Sequence, residues 1–120
     1  MKINIMTFGF KYGMPEAADM LFDVRFLQNP YWEEELRELT GLDAPVADYI
    51  FNFPESTEYF EKLCEFLDFT VPKFNYEGRG ELTVAIGCTG GRHRSVAVAE
   101  RLSARFNMKA EHRDINKQGV

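Results

Sequence analysis

The sequence Gly87-Cys88-Thr89-Gly90-Gly91-Arg92-His93-Arg94-Ser95-Val96, called here the anion loop, lies between two strongly patterned segments. The apolar run at residues 82–86 precedes it, and apolar positions at helical spacing follow it as far as residue 106. A strand, a glycine-rich turn and a helix in this order present backbone N–H groups and a helix N-terminus to an anion. The stretch therefore predicts a phosphate-binding loop.

The residue types in the anion loop suit a phosphate group. Gly90 and Gly91 let the backbone approach a ligand closely, and the Arg94 guanidinium offers a fork of donors to phosphate oxygens. His93 can donate a hydrogen bond or carry a charge near neutral pH. We predict phosphate contacts from Thr89, Gly90, Gly91, Arg92, His93, Arg94 and Ser95. A tight turn with solvent-exposed basic residues is the structural alternative.

Length and composition favour one cytosolic domain spanning residues 1–120. No apolar run reaches the roughly 18 residues of a membrane helix, and no export signal is recognisable. The net charge of −5 argues against a general nucleic-acid binder. The charge is uneven, however, since residues 31–62 carry a net −7 and residues 88–120 a net +4.

The cysteines and histidines do not have the spacing of a metal site. Cys64 falls on the apolar face of a predicted helix, where a cysteine acts as a small core residue. A disulfide between Cys64 and Cys88 is not expected in a reducing compartment. We predict no metal and no cofactor.

The pattern of the whole chain predicts an α/β layered domain with a small, mostly parallel central sheet flanked by helices. The near-continuous apolar run at residues 81–87 indicates a central strand that is buried on both faces. Asn107 is a plausible stop for the last helix, and Thr89 or Ser95 could cap its start. The predicted strands cover residues 2–7, 20–26, 81–87 and 108–114. The predicted helices cover residues 30–39, 44–51 and 96–106, together with the longest one, whose apolar positions run at helical spacing from Phe60 to Val71 after a break at residues 52–55.

Three charged residues outside the anion loop are candidates for the same site. Lys11 lies in a loop after the first strand and could place a second cation over a phosphate, or could simply be exposed. Asp23 and Arg25 share one face of an extended chain and form either an internal ion pair or part of a site. Because ligands collect at the carboxyl ends of strands in open α/β sheets, we favour the site.

The anion loop also fits the Cys-x5-Arg-Ser pattern of cysteine-dependent phosphatases through Cys88, Arg94 and Ser95. In such enzymes the thiolate attacks phosphorus and the arginine grips the phosphoryl oxygens. Gly87 stands where those enzymes usually have histidine. No motif selects the general acid from the candidates Asp23, Asp43, Asp48 and Asp68, so binding without catalysis is the favoured interpretation.

Several segments together resemble the C-terminal domain of the RapZ family of RNase adapter proteins. They are residues 8–13, 22–26, 29–32, 39–43, 83–96 and 112–114. The resemblance implies a domain that binds glucosamine-6-phosphate and regulatory small RNA and that self-associates. It further implies that Thr89, Gly90, Gly91, His93 and Arg94 hold the phosphate, and that Asp23 contacts the amine or hydroxyls of the sugar.

Two departures from that family limit what is carried over. The N-terminal P-loop nucleotide-binding domain is absent from this sequence, either because the protein stands alone or because the sequence is a fragment of a longer one. Met1 directly before the first strand weakly favours a stand-alone chain. The C-terminal end is only weakly basic, so metabolite binding is expected more firmly than RNA binding. An RNA-binding surface would use Arg92 and Arg94 of the loop and the later basic residues Arg105, Lys109, Arg113 and Lys117. The expected partners are a phosphorylated small molecule or a phosphate or sulfate anion, an RNA or a protein, and further copies of the chain, but no membrane.

Overall fold

The computed structural model describes residues 2–74 and 78–117. Its strands and helices follow the order β1 (Lys2–Gly9), β2 (Met20–Asp23), α1 (Ala44–Phe51), α2 (Pro54–Thr70), β3 (Glu81–Cys88), α3 (Arg94–Phe106) and β4 (Ala110–His112). Short 3-10 turns occur at Phe10–Tyr12, Pro30–Trp32 and Val71–Phe74. This is the α/β layered fold that the sequence predicts.

The four strands form one parallel sheet in the order β2-β3-β1-β4. β3 is therefore a central strand, as its apolar run predicts, and its residues Leu82 and Val84 to Cys88 are buried. Because the strands are parallel, the ends of β1, β2 and β3 lie side by side at the carboxyl edge. The register there places Gly9 opposite Cys88 and Asp23 opposite Gly87.

The core lies between the sheet and the helices. α3 buries Val96, Val98 and Leu102 completely. The predicted core position of Cys64 on α2 is confirmed, since its side chain is buried and burial raises the pKa of its thiol. Both cysteines are free thiols. Within residues 2–74 and 78–117, no helix is both long and apolar enough to cross a membrane.

The predicted helix over residues 30–39 is wrong. A 3-10 turn at Pro30–Trp32 is followed by separate turns, in which the Leu36 and Leu39 amides donate to carbonyls three residues earlier. A segment this short rarely sustains a helix unless one apolar face packs against the core. Within residues 31–39, Leu36 alone is buried, so such a face is missing. The Leu39 carbonyl instead accepts from His93, so the segment is shaped by the anion loop.

Two predicted strands are shorter than their patterns. The second ends at Asp23, because the Asp23 carboxylate accepts the Arg25 amide and the chain turns there. The last comprises Ala110–His112, and the Arg113 amide still donates to the Thr7 carbonyl of β1. Beyond it, the Arg113 side chain donates to the Gly13 carbonyl and the buried Asp114 accepts from the amide of Gly9, the last residue of β1.

The predicted caps of α3 are also wrong. The N-cap residue is His93, with no side-chain hydrogen bond to the helix. The Thr89 hydroxyl accepts from Arg94 and the Ser95 hydroxyl contacts the Cys88 sulfur. The predicted stop at Asn107 is confirmed by its left-handed conformation, φ 55°. The predicted loop at 75–80 and the tail at 115–120 include residues 75–77 and 118–120, which lie outside the described residues.

Candidate functional site

The anion loop connects the central strand to α3. It packs so closely against the end of β1 that the two backbones leave no room for a side chain between them. A Cβ atom on Gly9 would lie 2.5 Å from the Gly90 carbonyl carbon, and one on Gly91 would lie 2.6 Å from the Gly9 nitrogen. Gly91 also has φ +74°, which L side chains rarely adopt. Gly91, one of the two glycines that suggest a ligand cradle, is thus also required by the packing of the loop against Gly9.

The N-terminus of α3 is open to an anion. The side chain of its N-cap residue, His93, makes no cap hydrogen bond, and the first amides of a helix lack acceptors within the helix. In the described part of the chain, no backbone carbonyl accepts a hydrogen bond from the amides of Gly90, Gly91 and Arg92. These amides and the positive end of the helix dipole are the components of an anion site.

Arg94 is a buried cation that forms no ion pair with a carboxylate among the residues that the structure describes. Its side chain is 5% exposed, and its guanidinium donates to the carbonyls of Arg25 and Leu27 and to the Thr89 hydroxyl. Its Nε is buried and has no acceptor within residues 2–74 and 78–117. Burial lowers the pKa of Arg94, although not enough to neutralise a guanidinium. A buried charge that meets neutral acceptors favours binding of an anion nearby.

The other two basic residues of the loop bind neighbouring segments. The Arg92 Nε donates to the Ile115 carbonyl at 3.1 Å. The His93 Nε2 donates to the Leu39 carbonyl at 2.7 Å, which requires the proton on Nε2. Both residues are therefore engaged in holding the loop to its surroundings, a role that their charge alone did not predict.

We predict that His93 makes folding pH-dependent. Burial is the main cause that lowers the pKa of His93 below its ordinary value of 6.5, so the folded state binds fewer protons than the unfolded state. The contribution of neutral His93 to the free energy of unfolding is then fully present above about pH 6.5, and it is lost as the pH falls toward the folded pKa. Urea unfolding between pH 5 and 8 should show this slope in the native chain but not in His93→Gln. An unchanged slope in His93→Gln would contradict the assignment.

Asp23 and Arg25 form an ion pair at the edge of this site. The Arg25 NH2 and the Asp23 Oδ2 are 2.6 Å apart, and the guanidinium stacks 3.9 Å from the centre of the Phe10 ring. The hydrogen bonds from Arg25 are the main cause that lowers the pKa of Asp23, with a smaller contribution from the charge of Arg94. The ion-pair interpretation is thus confirmed, and Asp23 is an ionised, half-exposed acceptor. Contact between the pair and a ligand stays a prediction.

Lys11 is brought to the same edge by its backbone. Its amide donates to the Thr89 carbonyl at 3.2 Å, and its exposed ammonium lies 5.4 Å from the centre of the Tyr12 ring. The loop after β1 therefore lies beside the anion loop. Contact between Lys11 and a bound anion stays a prediction.

Two residues with a direct role in the site's geometry were not identified by the sequence reasoning. Asp114 is fully buried and accepts from the Gly9 amide at 2.7 Å and from Arg113 and Lys117. A Cβ on Gly41 would lie 2.5 Å from the His93 carbonyl oxygen. Their segments appeared in the family resemblance, but nothing local in the sequence signals a buried clamp or a close approach.

The cysteine of the phosphatase pattern lies beneath the loop. Cys88 is 2% exposed, and its sulfur is 3.1 Å from the Ser95 hydroxyl. Of the candidate acids, Asp43 accepts the Thr40 amide and Asp68 pairs with Arg105. Asp23 lies beside the loop, but Arg25 holds it ionised and so unsuited to donate a proton.

Three of the six basic residues predicted for RNA are paired with acids. Arg105 pairs with Asp68, whereas Arg113 and Lys117 both pair with Asp114. Lys109 is exposed on the last strand. Among the residues that the structure describes, no cluster of His, Cys, Asp or Glu is suited to hold a metal ion.

Comparison with known proteins identifies the family. The family model described as the RapZ C-terminal domain matches residues 1–116. The chain belongs to the RapZ C-terminal domain family. The match covers the anion loop, the Asp23–Arg25 pair and Asp114, so the site described above is built from residues within the RapZ C-terminal region.

Longer bacterial proteins contain this RapZ C-terminal region. The chain is 49% identical over 119 residues to a nucleotide-binding protein of Brevibacillus brevis, covering 96% of the chain and 41% of that protein. It is 48% identical to a nucleotide-binding protein of Macrococcus caseolyticus (98% and 41%) and 52% identical to one of Nitratidesulfovibrio vulgaris (94% and 40%). The chain thus spans about two-fifths of the length of these relatives.

Proposed function

We propose that the chain is a regulatory binding domain that takes a phosphorylated small metabolite, an amino-sugar phosphate such as glucosamine-6-phosphate, at the anion loop. The observation that carries this proposal is Arg94, a buried cation with neutral acceptors and an unpartnered Nε. A phosphate there supplies the missing negative charge and accepts from the open amides of the loop.

The Asp23 carboxylate supports the amino-sugar part of the proposal. It is ionised and lies at the same carboxyl edge of the sheet as the anion loop. A carboxylate beside a phosphate site favours a ligand that carries a positive charge a few ångströms from its phosphate. An amino-sugar phosphate has this arrangement, and its ammonium can donate a charge-assisted hydrogen bond to Asp23.

Calorimetric titration tests both halves of the proposal. Glucosamine-6-phosphate should bind more tightly than glucose-6-phosphate, and glucosamine without phosphate should not bind. Asp23→Asn should reduce the preference for the amine by about tenfold, the value of one charge-assisted hydrogen bond. Asp48→Asn, the same change at an exposed position on α1, should leave it unchanged.

Two outcomes would contradict the proposal. If neither sugar phosphate nor inorganic phosphate produces heat, the anion loop is a structural turn. If inorganic phosphate is released during the titration and the release stops in Cys88→Ser, the loop is catalytic and the cysteine-phosphatase alternative replaces binding.

A regulatory domain also needs a partner, RNA or protein, that responds to the bound ligand. Because Arg105, Arg113 and Lys117 are already paired with acids, a protein is the favoured partner.

A further inference from the structure

Four aromatic rings form a row along α2 and the chain just after β2, called here the aromatic stripe. Its members are Phe26, Tyr59, Phe66 and Phe69. Phe26, Phe66 and Phe69 are 55%, 49% and 66% exposed. The three members on α2 recur at helical spacing, so their side chains share one face of the helix. The Phe26 ring centre lies 5.0 Å from that of Tyr59, and the Phe22 ring centre lies 5.9 Å from that of Phe66, so the β2 segment supports the stripe from one side.

The aromatic stripe is separate from the face of α2 that packs in the core. That face buries Leu63, Cys64 and Leu67. Single exposed apolar residues are ordinary on a protein surface, whereas a contiguous row of large ones is typical of an interaction site. Residues 59–69 span about 15 Å of helix, which matches about three turns of a second helix laid alongside.

Acidic side chains flank the aromatic stripe. The 17 residues of α2 include five acids and one lysine, a net charge of −4. Lys62 is paired with Glu58 at 3.9 Å, so it does not compensate the other acids. The exposed acids of α2 that form no ion pair within residues 2–74 and 78–117 are Glu55, Glu61 and Glu65. The surface thus combines apolar rings with unbalanced negative charge.

The charge and the rings together select the kind of partner. Lys73 Nζ already lies 4.0 Å from the centre of the Phe69 ring, within the range of a cation–π contact. Lysine or arginine side chains of a partner can therefore be bound by ring faces and by carboxylates. The same negative charge repels nucleic acid and anionic lipid, and two copies meeting through the stripe would bring their acidic residues together.

We propose that the aromatic stripe is the docking site for a basic amphipathic helix of a protein partner. Apolar side chains of that helix at positions i, i+3, i+4 and i+7 pack between the rings. Its lysine and arginine side chains pair with the exposed glutamates of α2 and guide the approach of the partner. Docking does not require a ligand in the anion loop, so it can be measured on the chain without phosphate.

Fluorescence anisotropy with a labelled helical peptide tests the docking site. A peptide of leucine and lysine, with leucine at positions i, i+3, i+4 and i+7, should bind the full chain, and the affinity should fall as salt is added. The same peptide with glutamate in place of lysine should not bind. Phe69→Ala should raise the dissociation constant of the lysine peptide about tenfold, because it removes a central ring. Glu65→Lys should raise it about threefold at low salt.

Matched variants outside the aromatic stripe provide the controls. Trp32→Ala removes a more exposed ring, and Glu111→Lys makes the same charge change on β4, so neither should alter binding of the lysine peptide. Equal binding of the lysine and glutamate peptides, or native affinity in Phe69→Ala, would overturn the proposal. A native dimer that Phe69→Ala dissociates in sedimentation equilibrium would also overturn it, because a second copy would then occupy the stripe.

Discussion

Replacing Arg94 with methionine should both destabilise the fold and remove phosphate binding. The guanidinium links the Arg25 and Leu27 carbonyls to the start of α3, and methionine leaves both carbonyls without that donor. Each buried polar group left unpaired costs about 1–3 kcal/mol, so the free energy of unfolding should fall by about 2–5 kcal/mol. Urea denaturation measures this loss directly.

Thermal melting measures the predicted loss of phosphate binding. A ligand that binds the folded state raises the melting temperature with its concentration. Inorganic phosphate should stabilise the native chain, should stabilise Arg94→Lys less because lysine lacks the fork of donors, and should not stabilise Arg94→Met.

Arg105→Met is the matched control, because it removes the same charge from an exposed position on the same helix. Its surface ion pair is screened by solvent and contributes little to stability. An Arg94→Met chain that keeps the native response to phosphate would show that Arg94 is a structural clamp and that the anion binds elsewhere.

The sequence predicted the fold well where one segment determines its own structure. Residues 81–87 are apolar at nearly every position, which is sufficient to assign a central parallel strand. Helix α1 and the stop at Asn107 likewise follow from local signals. The strand order does not, because it depends on which strands pair across distant parts of the chain.

The errors occurred where another segment competes for the backbone. The acidic residues 33–35 after Pro30 are typical of a helix start, yet His93 from the anion loop takes the Leu39 carbonyl. Likewise Thr89 and Ser95 have capping chemistry, but Arg94 and Cys88 engage their hydroxyls. Such competition involves residues more than fifty positions apart in the first case, so no local pattern records it.

In the candidate site too, some features follow from the local sequence and others depend on contacts with distant segments. The anion loop was found from its own residues, and its placement beside Asp23 followed from the general rule for strand ends in α/β sheets. The hydrogen bonds from Arg92 and His93 to backbone carbonyls were not predictable, because a basic residue after a glycine pair can bind a ligand or a carbonyl. The buried Asp114 was likewise hidden, since its burial depends on the loop after β1.

The largest loss of stability from a single methyl group should come from Gly91→Ala. Two costs add at this position: φ +74° is unfavourable for alanine by about 1–2 kcal/mol, and the new Cβ would lie 2.6 Å from the Gly9 nitrogen and 2.8 Å from the Phe8 carbonyl carbon. Both contacts are backbone atoms of β1, which cannot move without disturbing the sheet. The free energy of unfolding should therefore fall by about 3 kcal/mol or more.

Two other glycines separate these costs. Gly13 has φ +91° but nothing within 4 Å of an added Cβ, so Gly13→Ala should show the conformational cost alone, about 1–2 kcal/mol. Gly80 has neither a positive φ nor a neighbour, so Gly80→Ala should lie within about 0.5 kcal/mol of the native chain. Urea unfolding of the three variants ranks them. If Gly91→Ala and Gly13→Ala lose the same amount, the anion loop is not packed against β1 at backbone distance, and the rigid cradle on which phosphate binding depends would not exist.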